Sequence, residues 1–235
     1  MIPFRDNIPS RRYPVVTCLL IAANVAVFLF QLTLSDGDLQ KFVFTYGVVP
    51  ARLHLIADHP LQALNGTVVS VFASIFLHAG WLHLIGNMWY LWVFGDNVED
   101  RMGRPGFLAF YFLCGAAASL IHIAFNVNSR IPSVGASGAI AGVLGAYLLS
   151  YPFARVLTLV PFIIIWPVIE LPALLVLGSW FLIQLLNGWG TVAATTQTGG
   201  VAWWAHIGGF VAGMILLGVF AQRRRARRHT WEEEY

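Results

Sequence analysis

Residues 201–221 read VAWWAHIGGFVAGMILLGVFA, without a single Asp, Glu, Lys or Arg. A helix rises ~1.5 Å per residue, so about 20 apolar residues cross a hydrocarbon core of ~30 Å. This segment reads as a membrane-spanning helix. Residues 14–34 and 105–126 pass the same test, both being free of charge. Residues 81–98 are shorter but dense in Leu, Trp and Phe, and residues 134–150 are rich in Gly and Ala. The apolar stretch from Val156 to Leu186 is too long for one span, and Pro161, Pro167 and Pro172 interrupt it. Residues 156–167 are therefore expected to form an interfacial or re-entrant piece and 168–187 the helix. The expected fold class is an all-α polytopic membrane protein with six transmembrane helices.

The whole chain agrees with that segment. Of 235 residues, 58% are apolar and 11% charged, against ~45–50% and ~25% in average soluble domains. That composition excludes a disordered, collagen-like or disulfide-stapled chain and argues against a water-soluble globule. Cys18 and Cys114 both fall in apolar stretches and read as small buried hydrophobes. A net charge of +3 would suit nucleic acid, but the arginines sit between and beyond the apolar segments, as they do beside a bilayer. Lipid is the expected partner, and no nucleic acid.

Charge also orients the chain. With the N-terminus inside, Arg5, Arg11, Arg12, Arg101, Arg104, Arg155, Arg223, Arg224, Arg225, Arg227 and Arg228 are cytoplasmic, and Lys41, Arg52 and Arg130 are outside. Eleven against three places both termini in the cytoplasm. The expected layout is a cytoplasmic N-terminus (1–13), a membrane domain (14–221) and a basic then acidic cytoplasmic tail (222–235) read as an anchor on anionic lipid. Segment 14–34 is too long for a signal-peptide core and is expected to be retained. Within the membrane domain, residues 35–80 form a large first loop with surface-lying helices or turns, because its apolar run from Val68 to Leu77 is too short to cross. Residues 188–200, rich in Gly and Thr, form a loop between the fifth and sixth spans that could cap a site or simply connect.

In this topology the second, fourth and sixth spans begin at the outer face, and each carries useful polar groups in its first two turns: His83 and Asn87, then Ser137, then His206. Polar groups are costly inside a membrane, so such residues are functional candidates. Ser137 stands in Gly135-Ala136-Ser137-Gly138, where small residues can serve helix packing and a helix N-terminus can stabilise an oxyanion. His206 stands in Ala205-His206-Ile207-Gly208-Gly209, and either a hydrogen-bonded interfacial histidine or a base is consistent with it. Gly138 and Gly142 form one small-residue stripe, and Ala205, Gly209 and Gly213 another. Their meeting would bring imidazole and hydroxyl together, as a nucleophile and its base require. His83 and Asn87, at i and i+4, share a face and can donate to an oxyanion. His78 falls in the loop before them, with no role evident.

These motifs together resemble the rhomboid intramembrane serine proteases, from about Tyr13 to Phe220. The matching residues are His83-Leu84-Ile85-Gly86-Asn87, Gly135-Ala136-Ser137-Gly138 and Ala205-His206-Ile207-Gly208-Gly209-Phe210-Val211-Ala212-Gly213. Phe76-Leu77-His78 and Phe94-Gly95-Asp96-Asn97-Val98-Glu99-Asp100 also look like bacterial members, and six spans resemble the simple bacterial form. The resemblance implies a multi-pass cell-membrane endopeptidase acting on single-span membrane proteins. It would use a Ser137–His206 dyad, an oxyanion site of Asn87, His83 and the Ser137 N–H, and neither cofactor nor metal. No Asp or Glu lies in the outer halves of the spans, and Glu170 reads as the one carboxylate near a span, interfacial or neutral. Many relatives carry an aromatic residue four positions after the serine, against the histidine. Here that position is Ala141, so a Trp or Phe from another helix is expected to orient His206. Arg52 is the nearest loop cation to the Trp-Arg pair of some relatives but is not assigned its role. The alternatives are an inactive rhomboid-like protein that binds transmembrane helices, and a small transporter or channel. Ser137 and His206 weigh against the first, and the lack of intramembrane charge pairs or matched halves against the second.

Overall fold

Prolines and glycines set where the apolar segments become helices. In the computed structural model, which describes residues 1–56, 60–161, 165–193 and 201–222, α1 (Val15–Gln31) starts after Pro14. Gly103, at φ 75°, turns the chain between α4 (Trp81–Met102) and α5 (Arg104–Phe125), a conformation that favours glycine. Gly135, at φ 125°, precedes α6 (Ser137–Ser150). Pro172 precedes α7 (Ala173–Ala193), and α8 (Trp203–Phe220) follows. The chain is mostly helical and multi-pass in character. Among the described residues, α5, α8 and Ala173–Thr191 of α7 are long and apolar enough to cross a membrane. Two helices expected as spans are shorter, α1 at 17 residues and α6 at 14. At ~1.5 Å per residue α6 is about 21 Å long. It has no need to match the lipid, because residues 138–147 are all buried, wrapped by α4, α5 and α8.

The first loop holds α2 (Asp36–Tyr46), a 3₁₀ turn at Pro50–Ile56, α3 (Pro60–Ala73) and a second 3₁₀ turn at Ser74–Phe76. Leu64–Phe76 meets α4 at 82°. Arg52 ties this loop together, donating to the carbonyl oxygens of Phe44 and Thr45 in the last turn of α2 and to Ser70 Oγ on α3. Those helix-end carbonyls have no partner of their own.

Two expectations are corrected. The chain is not all-helical: β1 (Ile2–Asp6), β2 (Arg155–Leu159) and β3 (Val168–Pro172) form an antiparallel sheet in the order β1-β2-β3. Residues 168–172 therefore pair with 155–159 instead of opening the fifth helix. β-Branched Val156, Thr158, Val168 and Ile169 favour the pleated backbone, and Pro172 ends the ladder as α7 begins. Glu170 lies on this sheet, half exposed, with its Oε2 3.4 Å from Arg155. It is not the one carboxylate near a span. Glu99, 4% exposed near the end of α4, accepts from the N–H groups of Val16 (3.1 Å) and Thr17 (2.8 Å) and from Thr17 Oγ1 (2.9 Å). It caps α1 from another helix, satisfying first-turn N–H groups that Pro14 leaves bare.

Asp6 of β1 accepts from Asn97 (2.9 Å) and from the Tyr147 hydroxyl. Burial raises its carboxyl above the usual carboxylate range, and the tyrosine bond opposes that shift. Arg11 N–H donates to Asp100, and Gln222 binds the carbonyls of Arg101 and Met102. The N-terminal segment, the sheet, the α4–α5 turn and the end of α8 therefore share one end of the bundle. The N-termini of α4, α6 and α8 share the other, beside the first loop, where Val48 bridges Ser133.

Candidate active site

Ser137 is the first residue of α6, and His206 lies in the first turn of α8. Close packing of these two helices brings the pair together. A Cβ on Gly209 would collide with the carbonyl of Gly138, one on Gly213 with that of Gly142, and one on Gly145 with that of Phe210. The two small-residue stripes do meet, so the helices touch through backbone. Across this contact His206 Nε2 stands 2.8 Å from Ser137 Oγ, with His206 buried. Gly209→Leu, and Gly142→Leu against Cys114, should each lower thermal stability by at least about 2 kcal/mol and reduce activity, since neither contact has room for a branched side chain. A melting curve unchanged in both variants would contradict the packing.

The other two candidates converge on the same point. The first bond inside α6 runs from Ile140 N–H to the Ala136 carbonyl (3.0 Å), so the N–H groups of Ser137, Gly138 and Ala139 have no acceptor within the helix. His83 Nδ1 accepts the N–H of Ala79 at 3.4 Å. Its proton is therefore on Nε2, which faces Gly135: a Cβ there would come within 2.7 Å of that nitrogen and 3.5 Å of Asn87 Nδ2. Gly135 is required twice, by its positive φ and by this close approach. Asn87 Nδ2 lies 3.0 Å from His78 Nε2, which uses one of its two hydrogens and leaves the other for a ligand. His78 thus has a role the sequence did not disclose, orienting Asn87. Its own backbone is held at both ends by Gln31, His78 N–H to Oε1 at 3.0 Å and Gln31 Nε2 to the His78 carbonyl at 3.1 Å.

The surroundings of His206 differ from the expected aromatic contact alone. The Trp180 ring lies 5.7 Å away at 34° and the Trp203 ring 6.4 Å away, yet the polar contact is to Gln184 of α7, whose Oε1 is 2.8 Å from His206 Nδ1. A lone amide in the apolar run Trp180–Leu186 was a signal, since such groups in a membrane segment seek a partner. Sequence reasoning also missed Ser119 and His122 of α5. They line a small cavity with Ser133, Ser137 and Ala205, and their hydroxyl and imidazole groups are the kind of partners a buried water binds. Of the expected cap, residues 188–193 belong to α7, whereas 194–200 lie outside the described residues, as does the tail from Arg223 onward.

Comparison with known proteins adds a family to this geometry. The chain is 29% identical over 217 residues to Rhomboid protein 1, mitochondrial, of Saccharomyces cerevisiae, covering 89% of this chain and 55% of that protein. It is 26% identical over 230 residues to RHOMBOID-like protein 1 of Arabidopsis thaliana, covering 90% and 54%. It is 35% identical over 136 residues to Rhomboid protease GluP of Bacillus subtilis, covering 57% and 24%. The chain spans about half the length, or less, of these relatives. The Rhomboid domain model matches residues 65–223, which include Ser137, His206, His83, Asn87 and Gln184. With its motifs in order and its polar groups at one end of a helical membrane bundle, the chain belongs to the rhomboid family.

Proposed function

We propose that this protein is an intramembrane serine endopeptidase that cleaves transmembrane segments of single-span membrane proteins near the outer face of the bilayer. The observation that carries this reading is the 2.8 Å contact between Ser137 Oγ and His206 Nε2 at the ends of two helices packed backbone to backbone. Ser137 Oγ attacks the scissile carbonyl while His206 Nε2 takes its proton. The oxyanion that forms accepts hydrogen bonds from the Ser137 N–H, Asn87 Nδ2 and His83 Nε2. The imidazolium then protonates the leaving amine as the C–N bond breaks. Water attacks the acyl-enzyme with His206 again as base, supplied through the cavity beside Ser119 and His122. No step calls on a metal or cofactor.

The proposal includes six spans, with α1 and α6 as the short ones, and both termini in the cytoplasm. Two features support this arrangement: the sharing of one bundle end by β1 and the end of α8, and the gathering of Arg5, Arg11, Arg101, Arg104 and Arg155 there. The location proposed is the cell membrane, by the likeness to bacterial members. The name of the yeast relative places that protein in mitochondria, so fractionation with reporter fusions at both termini is the check. Cytoplasmic reporters in the plasma-membrane fraction are expected, and a mitochondrial signal or an external terminus would overturn that part. The chemistry is tested by fluorophosphonate labelling of the folded protein, expected in the wild type and lost in Ser137→Ala. A folded protein that neither labels nor cleaves a single-span reporter would instead fit a helix-binding, inactive rhomboid.

A further inference from the structure

A histidine acting as base must present an unprotonated nitrogen to the serine, and in neutral imidazole either nitrogen can carry the proton. Nothing on α6 or α8 selects between them: Ala141, one turn after Ser137, has no polar group to offer. The selection comes from α7. Gln184 is 4% exposed, and both ends of its amide are engaged. Nε2 donates to the carbonyl of Trp180 at 3.1 Å, and Oε1 stands 2.8 Å from His206 Nδ1. A carbonyl only accepts, so the amide cannot rotate without setting oxygen against oxygen at Trp180. With Oε1 fixed toward the ring, the His206 nitrogen facing it must donate.

We infer that Gln184 is the positioning residue of the dyad: its amide oxygen holds the His206 proton on Nδ1 and so turns the Nε2 lone pair toward Ser137 Oγ. The amide does the orienting work of an acid without bringing a charge into an apolar helix, where an unpaired carboxylate would be costly. Among the described residues, the other titratable side chains that face His206 are His83 of α4 and His122 of α5, and neither is hydrogen-bonded to its Nδ1. Trp180 adds a wall behind the ring from the same helix turn that holds the amide. The consequence for turnover rests on the protease reading, whereas the tautomer does not.

The test uses the full chain in bilayers, with wild type, Gln184→Leu and Gln184→Glu compared in kinetics. Gln184→Leu keeps the volume and removes the acceptor. It should lower kcat about 10- to 100-fold with KM changed less than about twofold, because the ring loses its tautomer and not the substrate site. Gln184→Glu restores an acceptor and should recover most of that loss, which a purely structural role would not predict. Independently, ¹⁵N spectra of histidine-labelled protein, assigned against His206→Ala, should show wild-type His206 protonated on Nδ1 and bare on Nε2, with both tautomers populated in Gln184→Leu. A proton on Nε2 in the wild type, or a Gln184→Leu protein with unchanged kcat and unchanged tautomer, would overturn the inference. Failure of the protease reading looks different: wild type and Ser137→Ala would be equally silent toward label and reporter, while the spectra still report the tautomer.

Discussion

Ser137→Ala and His206→Ala are each expected to lower cleavage of a single-span reporter by at least about 10³-fold, roughly 4 kcal/mol of transition-state stabilisation, with expression and melting behaviour intact. The double variant should be no worse than either single one. In the proposed mechanism the two groups act as one device: without the Nε2 acceptor at 2.8 Å the hydroxyl would be a poor nucleophile, and without the hydroxyl the base would have nothing to activate. Initial rates in reconstituted bilayers read this directly. Residual cleavage of a few per cent in Ser137→Ala would mean that a different nucleophile is at work. Losses that multiply in the double variant would mean that His206 serves something other than Ser137.

The second large effect is expected at the oxyanion site. Asn87→Ala should lower kcat by about 10²–10³-fold with little change in KM, since in the proposed mechanism its remaining N–H donates to the oxyanion of the transition state. His83→Ala should act in the same direction and more mildly, as the Ser137 N–H and Asn87 remain. The two differ in their supports. Asn87 is held by His78, itself clamped by Gln31 of α1, whereas His83 leans on the N–H of Ala79 in the preceding turn. Steady-state kinetics on both variants separate the roles. If KM rises and kcat stays put, these side chains bind the substrate in its ground state, and the oxyanion assignment fails.

Family and helical character were legible from residue order because each rests on short-range information. An uncharged run of about 20 residues speaks for a membrane helix whatever it packs against. The shared face of His83 and Asn87 and the glycine stripes beside Ser137 and His206 follow from helical spacing alone, whereas the turn at Gly135 that starts α6 at Ser137 came from the structure. The sheet escaped because its strands are five residues each: β2 and β3 lie in apolar sequence where strand and helix look alike, and β1 lies in a short mixed segment whose partner is about 150 residues away.

Local sequence determined where most of the helices lie and that His83, Asn87, Ser137 and His206 stand in the first two turns of theirs. Only the tertiary structure decided the partners of those residues. Glu99 caps a helix 82 residues before it, Gln184 meets His206 across 22 residues, and Ser137 meets His206 across 69. Spacing along one helix fixes which side chains share a face, but not how that helix is rotated or how closely its neighbour approaches. Those two quantities come from the backbone contacts between α6 and α8 and from the packing of α7 against both. A hydrogen bond that weakens within a fraction of an ångström depends on both.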